Sequence, residues 1–186
     1  AKIDFSVHYK PFANDVEVIW QSKFGYGNAV YQGANRYYLN NFFMQQHKLE
    51  VKGKNFFVRG YTTTEDGGNS YDMLFTGINV NREWKKDDVW FGTYAGASHA
   101  FARGAAETGR LVPGTAAFQS AFNKVTNEAS VLKGSKLVDN SKIYHSDANY
   151  NFKDLIQFAE IQVGGSYRAY ELNSHGRIYT DANGPI

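Results

Sequence analysis

Strict apolar–polar alternation, short turns set against long loops, and the lack of any long apolar run predict a mainly β protein. The expected fold is an antiparallel transmembrane β-barrel fragment: about six strands in three hairpins, with a long, partly helical surface loop. A membrane-spanning helix needs about 20 apolar residues in a row. No uninterrupted run here exceeds three. A membrane β-strand needs only about 9–11 residues of alternating character.

The alternation begins at once. In residues 2–10, Ile3, Phe5, Val7 and Tyr9 share one face, and Asp4, Ser6, His8 and Lys10 the other. Pro11 to Asp15 reads as a turn. Residues 16–24 alternate again, with Val16, Val18 and Trp20 opposite Glu17, Gln21 and Lys23; Ile19 interrupts the polar face. Residues 25–41 read as a polar and aromatic loop. A third strand over 42–52 sets Met44, Gln46, Lys48, Glu50 and Lys52 against Phe43, Leu49 and Val51, with Gln45 and His47. Gly53-Lys54-Asn55 is a hairpin turn into a fourth strand, 56–64.

Residues 65–140 lose the alternation. Two helices are expected there. One runs from Asp87 to Arg103, with Asp87 or Asp88 able to cap it. The other runs from Thr115 to Ala129, with Thr115 as N-cap and Phe118, Phe122, Val125 and Ala129 on one face. Alternation returns at Lys142 for a fifth strand and continues over 159–169 for a sixth. Turns after strands one, three and five are short; loops after two, four and six are long. That asymmetry is the outline of an outer-membrane barrel. Its inward face can carry charge, so Glu17, Lys23, Lys48, Glu50, Arg59, Glu160 and Arg168 are expected toward the lumen. Trp20, Tyr9, Tyr150 and Tyr167 suit the interfacial aromatic girdles. The chain starts in a strand and ends in turn residues, so it reads as an internal fragment.

Composition narrows the function. Twenty Lys and Arg against 18 Asp and Glu leave a net charge of +2, which argues against nucleic acid as the partner. There is no cysteine, so disulfides, thiolate metal sites and cysteine nucleophiles are excluded. Catalysis is not expected: Glu65-Asp66 and Asp87-Asp88 read as turn or cap acids. Among His8, His47, His99, His145 and His175 there is no close metal pair; His145 and Asp147 could share a strand face. Asp181-Ala-Asn183-Gly184 resembles the start of a calcium loop, although a turn is the simpler reading. No cofactor or metal site is assigned. Aromatics with polar neighbours suit stacking on sugars or ring systems, which makes Tyr26, Tyr31, Tyr37 and Tyr38 candidate surface ligand contacts. Tyr71, Trp84, Trp90 and Tyr94 belong to the same set, with Trp84 and Trp90 read as packing the long loop.

Four strings carry a resemblance: Asn55 to Asp66 (NFFVRGYTTTED), Tyr71-Asp72, Asn79 to Lys85 (NVNREWK) and Tyr144 to Asp154 (YHSDANYNFKD). They resemble the barrel region of TonB-dependent outer-membrane receptors, over nearly the whole chain. The resemblance implies a 22-stranded barrel around a plug domain in the bacterial outer membrane. It implies energised uptake of a large scarce solute: a siderophore, a cobalamin-like molecule, an oligosaccharide or a peptide. It places residues 1–186 within one barrel domain, with 65–140 as a long extracellular loop, and the plug outside this chain. The implied partners are that plug, the TonB energy-coupling system acting through an N-terminal segment, outer-membrane lipid and the solute. The alternative is a soluble antiparallel β-domain binding carbohydrate in a secreted enzyme, with its apolar faces packed together.

Overall fold

The computed structural model describes residues 1–12, 15–96 and 100–186, with the side chains of 100–102 excepted. His99 and the middle of the turn expected at 11–15 lie outside the described residues. The protein is mainly β, 43% strand against 21% helix, built on a seven-stranded antiparallel sheet that does not close on itself. The strands are β1 (Lys2–Tyr9), β2 (Glu17–Gln32), β3 (Arg36–Lys52), β4 (Phe56–Asp66), β5 (Tyr71–Asp72), β6 (Lys142–Asn151) and β7 (Gln162–Glu171). Their order is β1-β2-β3-β4-β6-β7, with the short β5 paired to β3. Four helices lie between β5 and β6: α1 (Met73–Trp84), α2 (Asp87–Ala95), α3 (Ala100–Ala106) and α4 (Ala116–Asn127). No helix among the described residues is long and apolar enough to cross a membrane.

Several elements differ from the sequence expectation. The loop expected at 25–41 is mostly strand: β2 runs on to Gln32 and β3 starts at Arg36, leaving a three-residue turn at 33–35. Gly25, Gly27, Asn40 and Asn41 are weak strand formers, and they hid a pairing that the ladder imposes regardless. Asn41 takes a left-handed conformation (φ 55°), which an asparagine tolerates. The short β5 and the whole of α1 were not expected. Gly77, Asn79 and Asn81 dilute the helical signal of α1, yet Asp72 caps it, accepting from the Phe75 backbone N–H at 2.9 Å. The helix expected over 87–103 is two pieces, α2 and α3. Lys86 is the N-cap of α2; Asp87 lies in its first turn and binds Arg82. The helix expected over 115–129 is α4, and Thr115 caps it as expected, accepting from Phe118 N–H at 3.3 Å.

The chain divides into two compact units. The sheet unit holds residues 1–27, 41–68 and 138–186; the helical unit holds 28–40 and 69–137. In the helical unit the core is Val80 of α1 against Ala121 and Val125 of α4, with Leu111, Phe118 and Phe122 packed around it. In the sheet unit Ile19 is the one buried hydrophobic residue among those described. The sheet unit therefore lacks a conventional apolar core.

Candidate functional site

The register of the sheet unit decides which side chains share a face. Asp4 pairs with Lys23 and His8 with Ile19; Glu50 pairs with Arg59 and Lys48 with Tyr61. Arg59 pairs with Asp147 and Tyr61 with His145, and His145 pairs with Arg168. Glu17 joins the same face through Lys52, at 3.2 Å. Six of the seven residues expected to face a lumen, Glu17, Lys23, Lys48, Glu50, Arg59 and Arg168, thus lie on one face. Glu160 precedes β7 and instead accepts from Asn151 Nδ2 at 2.9 Å and Gln162 Nε2 at 3.2 Å.

These side chains are linked into a band. His8 Nδ1 lies 2.7 Å from Glu17 Oε1, and Lys48 Nζ lies 2.9 Å from Glu50. Arg59 Nε donates to Asp147 Oδ1 at 2.7 Å. His145 Nε2 lies 3.6 Å from Asp147 Oδ1, and Arg168 Nε donates to His145 Nδ1 at 3.2 Å. The sequence placed His145 and Asp147 together as a possible ligand pair; here they are consumed by two arginines. His8, Asp4 and Lys52 were not singled out as candidates. Only the cross-strand register brings them into the band.

The opposite face is mostly apolar, although it also holds the Ser22–His47 hydrogen bond and, at one end, the Lys142–Glu171 ion pair. It carries Ile3, Phe5, Val7 and Tyr9 of β1, Trp20 of β2, Leu49 of β3, Val58 of β4, Tyr144 and Tyr150 of β6, and Val163 and Tyr167 of β7. The apolar face is open, whereas the charged face is open at Asp4, His8, Lys23 and Lys52 and enclosed only in its middle. Ile3 is 62%, Val163 60% and Tyr167 69% exposed. The Glu50 side chain is 14% exposed, and those of His145 and Asp147 are 11% and 15%.

The tyrosines expected as surface contacts are mostly committed to neighbours. Tyr26 OH donates to Asn41 Oδ1 at 2.6 Å within the sheet unit. In the helical unit Tyr31 stacks on Tyr37 with centroids 6.3 Å apart, and Tyr38 meets Tyr71 at 5.4 Å. Trp90 packs on Tyr94 at 5.4 Å and on Phe91 at 4.8 Å, as a loop-packing residue should. Trp84, half-buried, also borders open space. It lines a cavity of about 540 Å³ between α1, α4 and the 110–113 segment, together with Val80, Phe118, Phe122, Gly77 and Arg110. Sequence reasoning missed Gly77 because it did not resolve α1, and Arg110 because it lies in a turn after α3 with no periodic signal.

The turn after β7 is built around the Asp181 carboxylate. Its carboxylate accepts from Ser174 N–H, from Ser174 Oγ at 2.6 Å and from Gly176 N–H at 2.9 Å. Burial pushes this carboxyl up, but the hydrogen bonds outweigh it and bring it down to about 2.

No family model matches the chain, and no curated protein or solved structure matches it.

Proposed function

We propose that the chain is part of a TonB-dependent outer-membrane receptor, a β-barrel that captures a large scarce solute at the cell surface and imports it without covalent chemistry. The observation that carries the reading is the two-faced sheet: its apolar face is open, while Glu50, His145 and Asp147 in the middle of the other face are enclosed. Lipid solvates the first arrangement and a polar lumen the second. The two outermost strands, β1 and β7, each have a partner on one side only. In a barrel those edges pair with further strands of the same wall. The receptor assignment within this barrel class rests on the four strings, above all Asn55 to Asp66 and Tyr144 to Asp154. The band from Glu17 to Arg168 then faces the plug or the solute path, the four helices lie at the cell surface, and the solute remains one of a siderophore, a cobalamin-like molecule, an oligosaccharide or a peptide.

Size-exclusion of the 186-residue chain without detergent, then with phospholipid vesicles, tests the reading. Aggregation in water with β-structure recovered in vesicles is expected. A sharp folded monomer in water overturns it and leaves the soluble carbohydrate-binding β-domain.

A further inference from the structure

The cavity of the helical unit joins aromatic core residues to one cation. Its walls are aromatic: Phe118 and Phe122 stack with centroids 6.1 Å apart, Tyr71 meets Phe122 edge-on at 5.5 Å, and Trp84 stands beside them. Among the described residues, Arg110 is the one cationic residue lining it, and no acidic residue lines it. Arg110 holds Glu107 by a long 3.4 Å contact, the side-chain hydrogen bond it makes among the described residues. The rest of its guanidinium is available to an anion. Gly77 sits inside α1, where glycine is among the weakest helix formers. A Cβ built there meets no atom within 4 Å, so no close approach requires the glycine. Gly77 is exposed and borders the open side of the cavity. A volume of this size is in the range that takes small organic ligands.

We propose that this cavity binds an aromatic carboxylate, its ring among Trp84, Phe118 and Phe122 and its carboxylate on Arg110. The site is independent of the membrane reading, because every residue lining it belongs to the helical unit.

The test uses the full chain carrying Trp20→Phe and Trp90→Phe, so that Trp84 is the only tryptophan left of three. Trp90 Nε1 is buried with no partner among the described residues, so its replacement by Phe removes a donor unsatisfied there. The probe is 6-bromo-2-naphthoate, whose bromine quenches tryptophan on contact; 6-bromo-2-naphthol is its neutral counterpart. Saturable quenching of Trp84 by the naphthoate is expected. Arg110→Gln should weaken the naphthoate about tenfold, the share of one charge-assisted hydrogen bond, and leave the naphthol unchanged. Gly77→Leu should fill the space and abolish saturable quenching by both, while its circular dichroism keeps the helical signal. Non-saturating quenching in the parent chain overturns the site. Equal loss of naphthoate and naphthol in Arg110→Gln, a surface change that leaves the core untouched, overturns the carboxylate.

Discussion

Asn79 shows what one buried amide can do. It is 1% exposed, and its Nδ2 donates to the carbonyls of Val131 at 3.0 Å and Gly134 at 2.7 Å. Its Oδ1 accepts from Arg82 at 3.0 Å, so all its partners are protein groups. Asn79→Ala leaves two carbonyls unpaired and should cost about 1–3 kcal/mol, read as a shift in the urea midpoint of the helical signal. Gly134 is tighter still. A Cβ there would stand 2.0 Å from the Glu128 carbonyl oxygen, so Gly134→Ala must move backbone and should cost about 1–3 kcal/mol or more in the same measurement. Asp181 gives a pH prediction. Its carboxyl lies at about 2 in the fold against an ordinary 3.8, so the stability it lends is full above pH 4 and is lost as pH falls toward 2. Hydrogen-exchange protection factors at the Ser174 and Gly176 amides should fall over that window, and Asp181→Asn should flatten the change. Of these residues the sequence marked only Asp181, as a turn. Asn79 and Gly134 acquire their roles from a contact between segments 55 residues apart, which no local pattern records.

Elements were legible in proportion to their periodicity. β1, β4 and α4 emerged from alternation, helical spacing and the Thr115 cap within a few residues of their observed ends. The middle of the β2–β3 hairpin did not, because glycines and asparagines that suit a loop are held extended by the neighbouring strand. α1 was hidden by the residues that make it useful: Gly77 borders the cavity and Asn79 clasps the 131–134 loop. The two faces of the sheet were readable, since parity alone assigns them once strands exist. That makes the face assignment testable. Val58, 53% exposed on the apolar face, and Thr63, on the charged face, lie in the same strand. In lipid, Val58→Arg should cost about 2–4 kcal/mol near the bilayer midplane, whereas Thr63→Arg should cost far less. Yields of folded protein in vesicles compare them. Equal yields would contradict the assignment.

At the scale of the whole chain, the sequence conveyed the β class, the charged face and a sheet with two open edges, but not the seventh strand. That strand, β5, exists only by pairing with β3, and such pairing is a long-range property. The outer-membrane reading assigns residues 73–127 to the cell surface, so an epitope tag inserted at Gly109 should bind antibody on intact cells. A tag hidden there yet reached at the Gly53-Lys54-Asn55 turn would reverse the orientation. One feature also bears on how such a chain folds. Every pairing on the main path of the sheet joins neighbours in sequence except β4 with β6, which brackets the 75 residues between Asp66 and Lys142. Bringing the ends of a flexible segment that long together costs about 4 kcal/mol of chain entropy, before any constant term. The segment closes its own ends: Leu137 N–H donates to Ser70 O at 2.9 Å, and Gly67 N–H to Asp139 O at 2.8 Å. Once those ends are tied, β6 meets β4 as if across a short hairpin. A refolding experiment should then find β4–β6 pairing slowed by Asn79→Ala and Gly134→Ala, neither of which touches a strand, because each loosens the bracket that delivers one strand to the other.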